Sequence, residues 1–235
     1  MKIHEVKGPL QVVMCACVVR LDPQLEKEVQ GIWESETRRN PTAFNGTVFN
    51  VTDIRAGEIQ GCFVEYKRLA AQRHDPSLFN RLRVRPLGVS GMIESPDGMI
   101  FGRRNQRLSS EVGKWELAPS GGLDAGASGS HGSVDYMHQF FDELRDETGL
   151  SESDIFDATA FALIEDPATH IFDLGIRART NLRETRIKEA FTFSTGEYST
   201  LRVVSRDAIR DFVSCHDVVP VSTTLLETSG ALAGC

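Results

Sequence analysis

The segment from Val134 to Gly149, VDYMHQFFDELRDETG, constrains this chain most. Val134, Met137, Phe140, Phe141 and Leu144 form one apolar stripe at helical spacing, and Gly149 stands where a C′ glycine ends a helix. Segments that read as strands flank it: Trp115 to Pro119 on one side, Ala158 to Ile164 and His170 to Arg179 on the other. A helix with one apolar stripe, set between strands, buries that stripe on a sheet. The fold class read from this is α/β (α+β), with helices on a sheet.

The same helix puts four acids, Asp142, Glu143, Asp146 and Glu147, into six positions. At about 100° per residue, Glu143, Asp146 and Glu147 share one face. Like charges at this spacing repel, and the C-terminal end of a helix disfavours anions. One reading is an ordinary solvated face. The other is a site for a hard divalent cation, because Mg²⁺ takes carboxylate and phosphate oxygens. Spacing alone leaves both open.

The rest of the chain supplies the sheet. Leu10 to Val19 reads as a buried strand, and Asp22-Pro23 opens a helix that runs to Arg39. Thr47 to Ile54 and Gln60 to Lys67 read as strands, followed by a short helix within Arg68 to Phe79. Leu87 to Glu94 and Met99 to Arg104 flank the turn Ser95-Pro96-Asp97-Gly98, a hairpin signal. After WELAP come Ser120-Gly121-Gly122 and a run of small residues, AGASGSHGS, read as a flexible loop. A strand from Glu197 to Val204 and a helix from Ser205 to Val213 follow, while Cys215 to Cys235 gives no clear signal. The organisation expected is an N-terminal α+β extension over 1–84, a main domain over 85–213 and a tail over 214–235.

Strand, Gly-Gly turn, loop and a helix bearing E-L-x-D-E-x-G-L resemble the Nudix hydrolase superfamily. Its signature ends R-E-U-x-E-E-x-G-U, with U aliphatic. Gly122 matches the opening glycine, Glu143 the glutamate after the arginine, and Leu144, Asp146, Glu147, Gly149 and Leu150 the remainder. WELAPSGG is also similar to the family's entry to this box. Three departures stand out: the interval is lengthened within AGASGSHGS, Ser128 occupies the place of a mid-box glutamate, and Asp142 replaces the arginine. The subgroup that hydrolyses UDP-sugars has a similarly stretched box without that arginine. It also has an N-terminal stretch like Phe44-Asn45-Gly46-Thr47-Val48-Phe49.

The resemblance implies a mixed sheet sandwiched between helices. It also implies hydrolysis of the diphosphate in a nucleoside diphosphate-linked compound, a UDP-sugar giving UMP and sugar 1-phosphate. Mg²⁺ or Mn²⁺ would be bound by Glu143, Asp146 and Glu147, with Glu143, Glu147 and Glu197 as the catalytic set. The backbone at Gly121 and Gly122 would approach the diphosphate of the small-molecule substrate, and Arg103 and Arg104, at a strand end before the box, read either as phosphate contacts or as a charged hairpin edge. Glu165 reads as a turn acid, a base or an extra ligand, Trp115 as core or a base-stacking platform, and Phe44 and Phe49 as packed side chains or the border of a base pocket. The competing readings are an ADP-ribose or other nucleotide pyrophosphatase, and a weak Nudix-like module that only binds a nucleotide.

Bulk properties restrict partners. A net charge of −7 over 235 residues opposes bulk binding to nucleic acid or an anionic membrane. No stretch reads as a signal peptide or a bilayer span. Five cysteines without a C-x-x-C pair, and scattered histidines, read as neither a zinc site nor a disulfide framework, which suggests a reducing cytoplasm. The family's frequent dimers leave room for a homodimer.

Overall fold

The computed structural model describes residues 1–6, 8–15, 20–108, 110–191 and 196–233; part of the strand expected from Leu10 to Val19 lies outside them. Among the described residues the strands form two sheets. The smaller contains β2 (Gln11–Met14), β4 (Glu58–Glu65) and β3 (Thr47–Arg55), in that order. The larger runs β1 (Lys2–Glu5), β9 (Ile155–Glu165), β10 (Phe172–Thr180), β5 (Leu87–Ser95), β6 (Gly98–Arg104), β11 (Tyr198–Val204). The short strands β7 (Trp115–Leu117) and β8 (Ser120–Gly122) pair with β6 and β5. β10 and β5 are parallel and their neighbours antiparallel, so this sheet is mixed.

Helices cover both faces of the large sheet. On one face Val89, Ile93, Leu174 and Ile176 meet Phe140 of α4 (Tyr136–Glu143) and Ile187 of α5 (Glu184–Phe191). On the other, Met92, Phe101 and Ile164 meet Phe212 of α6 (Ile209–Cys215) and Leu225 and Leu226 of α7 (Pro220–Thr228). Each fully buried side chain of this size contributes about 1.5–3 kcal/mol. The expected mixed sheet between helices is therefore present. α7 arises where the sequence shows no clear signal, because its polar residues Ser222 and Thr224 are buried with its leucines. Ser222 explains part of this: its hydroxyl accepts from the Leu117 N–H at 2.9 Å.

The smaller sheet is covered on one side by α1 (Pro23–Arg39), α2 (Tyr66–His74) and α3 (Phe79–Leu82), through Leu25, Val29, Leu69 and Leu82. Asp22 caps α1, its carboxylate accepting from the N–H groups of Gln24 and Leu25, with Pro23 opening the helix. The sheet's other face shares the main core through Val12, Phe49 and Ile59. Phe49 N–H donates to the Leu123 carbonyl at 2.9 Å, and Val134 N–H to that of Val12 at 2.8 Å. The N-terminal region thus grips the loop before α4 at both ends.

That grip changes the expected loop. AGASGSHGS holds two short 3-10 turns, Ala125–Ala127 and Ser130–Gly132, the first capped by Asp124. Phe49 is fully buried, as packing requires, whereas Phe44 is 81% exposed. Cys15 is disulfide-bonded, a departure from the reading without disulfides, while Cys62 and Cys215 are free thiols. No helix among the described residues is long and apolar enough to cross a membrane.

Candidate active site

The helix expected to run regularly to Thr148 changes winding at its acidic end. α4 gives way to a π turn over Leu144–Thr148, closed by Gly149 at φ 75°. A π turn is wider than an α turn and is frequent at functional sites. It separates the three acids expected on one face. Glu147 is turned into the protein and only 4% exposed, Glu143 is partly buried, and Asp146 remains at the surface paired with Arg145 at 3.0 Å. Asp142 lies on the outer side of the helix, paired with His138 and Arg145.

β8 receives the two inward glutamates. The Ser120 N–H donates to Glu147 Oε2 at 2.8 Å. Glu143 lies across Gly121 so closely that a Cβ there would stand 2.1 Å from its Oε1. Glycine is what admits the carboxylate at this position. Gly122 is different, since a Cβ would meet nothing within 4 Å. Gln139, one turn earlier on α4, donates to Glu143 Oε1 at 2.8 Å.

β6, β7 and β11 close the site. Arg104 reaches Glu116 at 2.6 Å and Glu197 at 3.4 Å, so the two are held by one guanidinium. Tyr198, the first residue of β11, donates its hydroxyl to Glu147 Oε2 at 3.0 Å. Its orientation comes from an irregularity in the strand. Thr200 pairs with Arg103 and Tyr198 with Arg104, which leaves Ser199 as an extra residue. Such a bulge reverses the alternation of side chains, so Tyr198 joins Leu201 in the same core. Gly102 makes room, because a Cβ there would stand 2.6 Å from the Tyr198 ring.

Electrostatics follow from this burial. Removal from water pushes Glu116 up to about 7, against the opposing pull of Arg104. It pushes Glu143 up to about 7 as well, opposed by the Gln139 hydrogen bond and reinforced by Glu197, Asp146 and Asp124. Glu147 is raised well above the usual carboxylate range, by burial first and then by Glu143, Glu116 and Glu197. Burial lowers and Glu116 raises the Arg104 guanidinium, with a net upward shift.

Of the residues expected in a site, the structure gathers Glu143, Glu147, Glu197, Arg104 and Gly121. Arg103, next to Arg104 on β6, is exposed on the opposite side of the strand from the acids, its Nε donating to the Gly113 carbonyl at 3.2 Å, so it is not brought into the site. Glu165 lies elsewhere, at the sheet edge with Lys2 and His4. Trp115 packs edge-on against Phe212 in the second core. Sequence reasoning missed Glu116, Tyr198 and Gln139. Glu116 was in view within WELAP, an acid between two apolar residues of a short strand. Among the described residues, no three His, Cys, Asp or Glu side chains already stand as a metal cage.

A scan against family models and a search of curated proteins find no match to this chain. Solved structures do resemble it. A protein from Deinococcus radiodurans aligns at TM-score 0.51 and 14% identity, over 77% of this chain and 98% of that one. A Nudix hydrolase from Nitrosomonas europaea aligns at TM-score 0.44 and 15% identity, over 62% of this chain and 88% of that one. An ADP-ribose pyrophosphatase from Streptococcus suis aligns at TM-score 0.40 and 18% identity, over 63% and 89%. At these identities the Deinococcus likeness speaks for the fold alone, and the two lower-scoring alignments add no argument.

Proposed function

We propose that this chain is a Nudix-type hydrolase that uses a divalent cation to cleave the diphosphate of a nucleoside diphosphate-linked small molecule. The observation that carries this reading is the gathering of Glu116, Glu143, Glu147 and Glu197 beside the Ser120-Gly121 backbone, with Arg104 paired to Glu116 and Glu197 alone. So much partly compensated negative charge is costly in a fold that needs it only for packing.

The donor set is all oxygen, which fits Mg²⁺ or Mn²⁺. Mg²⁺ commonly uses one or two carboxylates, completing its shell with water and substrate phosphate, so a full protein cage is not required. Glu143 and Glu147 would hold it, with Asp146 at the solvent side. When bound, the cation neutralises phosphate charge and acidifies a coordinated water. The protein's own groups do the rest. Glu197, the more exposed partner of Arg104, is the candidate to take a proton from water.

The finer reading, a UDP-sugar cleaved to UMP and sugar 1-phosphate, rests on the stretched box with Asp142 and on FNGTVF. The first of these has a physical counterpart here, since Asp142 faces away from the acid cluster. Hydrolysis of UDP-, GDP- and ADP-linked compounds with Mg²⁺, by the native chain and Glu147→Gln, tests both levels. Preference for UDP-sugars supports the finer reading, and preference for ADP-ribose redirects it. Turnover undiminished in Glu147→Gln would overturn the metal-site assignment, and nucleotide binding without turnover would indicate a binding module.

A further inference from the structure

We propose that Tyr198 is the positioning residue for Glu147: its hydroxyl and the Ser120 N–H fix Oε2, leaving Oε1 as the oxygen presented to a ligand. The inference deepens the reading above and rests on Glu147 being a metal ligand.

Three observations converge on it. The Tyr198 hydroxyl, which also faces the Glu116 carboxylate, and the Ser120 N–H donate to the same Glu147 oxygen, at 3.0 and 2.8 Å, and neither bond reaches Oε1. Two donors on one carboxylate oxygen remove the rotational freedom of a long side chain, whereas one leaves it a hinge. Next, two departures from regular strand structure serve the placement of this ring. The extra residue at Ser199 turns Tyr198 inward, and Gly102 leaves the space the ring fills. Finally, the helix that carries Glu147 contributes nothing comparable. Asp142 and Arg145 pair with each other on its outer side, and Gln139 is occupied by Glu143. Orientation of Glu147 therefore comes from across the site, 51 residues along the chain.

The ring of Tyr198 is 2% exposed and packed in the main core, so Tyr198→Phe keeps the packing and removes the hydroxyl alone. Mn²⁺ affinity of the full chain, measured by titration calorimetry, is expected to weaken about tenfold or more. In a Glu147→Gln background the same change is expected to add nothing, because its route of action is gone. A merely structural role would give additive losses, which would overturn the proposal.

A second readout needs no metal. The Ser120 amide in ¹⁵N–¹H spectra reports its bond to Glu147 directly, and its resonance is expected to move in Tyr198→Phe while distant amides stay in place. An unmoved Ser120 amide would overturn the positioning role even if catalysis fell. Conversely, native protein that neither binds Mn²⁺ nor turns over a nucleotide would sink the functional reading, while the Ser120 resonance would still decide whether Tyr198 holds Glu147.

Discussion

Glu165 ends β9 with its carboxylate against Lys2 at 3.0 Å and His4 at 2.7 Å. Burial there would raise its pKa, but the bonds to His4 and Lys2 outweigh it and hold the group below the usual value. Around Ser120 the balance is reversed: of four glutamates only Glu116 and Glu197 pair with Arg104, and burial drives Glu116 and Glu143 up to about 7. Both places put acids beside strands of one sheet. The first neutralises its acid locally and serves the fold. The second buries acids whose ionised forms are disfavoured despite Arg104, the arrangement expected where an external cation is to supply the missing charge.

The sharpest way to break that contrast is Glu147→Gln. It removes a buried, like-charge-crowded carboxylate while keeping its size. Hydrolysis of the preferred nucleotide is expected to fall about a hundredfold or more, and the melting temperature of the metal-free protein to rise. Activity and stability move in opposite directions only if the carboxylate is there for chemistry. A joint fall in both would make Glu147 a structural residue like Glu165.

The Gly-Gly pair provides the next test. Gly121→Ala drives a methyl group into the Glu143 carboxylate, whereas Gly122→Ala enters open space. The obstacle at Gly121 is the end of a flexible side chain, so the fold is expected to survive. Activity is expected to drop roughly tenfold to a hundredfold in Gly121→Ala, from misplacing one carboxylate, and to change little in Gly122→Ala. Equal effects would detach the Glu143 position from function.

How much of this was legible beforehand follows from which physical rule governs each residue. α1 is bounded by Asp22-Pro23, local signals that act within a few residues, and the expected helix forms with those ends. The hairpin across Pro96-Asp97 is equally local. Glu143 and Glu147 were visible as part of a motif, but their separation from Asp146 was not. It depends on a π turn imposed where Thr148 bonds back to the Leu144 carbonyl and Glu147 is drawn to Ser120. Tyr198 was invisible for a related reason. Period-two alternation sets it on the opposite face from Leu201, and only the bulge at Ser199 brings both inward. The loop AGASGSHGS reads as flexible from composition, since its anchors, Val12 and Thr47, come from the distant N-terminal sheet.

Asp173 sharpens the comparison from a third position. It lies on β10 opposite Gly88, accepts from the Ser90 hydroxyl at 3.3 Å, and is raised to about 6 by burial, with Asp166 adding to the rise. The folded chain therefore holds this proton more tightly than the unfolded one, whose value is near 3.8. Between these pH values the native state binds more protons, so stability falls as pH rises through the window. Asp173→Asn keeps an acceptor for Ser90 and removes the ionisable group. Its stability gain by chemical denaturation is expected to reach at most about 3 kcal/mol at pH 8 and to fade toward pH 4. A gain independent of pH would remove Asp173 from the class of uncompensated acids.

The smallest effect belongs to the compensated edge. Glu165→Gln cuts the ion pair to Lys2 and weakens the contact with His4, side chains that keep partial contact with water. Pairs of this kind contribute about 0.2–1 kcal/mol, so a loss of that size is expected at pH 7. Because the folded pKa is lowered, the loss should shrink as pH falls through the carboxylate range, where the native acid is itself protonated. β1 is an edge strand held to β9 in register from Lys2↔Glu165 to Glu5↔Ala162, so the loss should appear first as faster amide exchange in β1. Hydrolysis and Mn²⁺ affinity are expected to stay at native values, which is the result that separates an acid used for folding from acids used for binding. A drop in Mn²⁺ affinity would instead link the sheet edge to the site through β9 and β10, and the two groups of acids would no longer be independent.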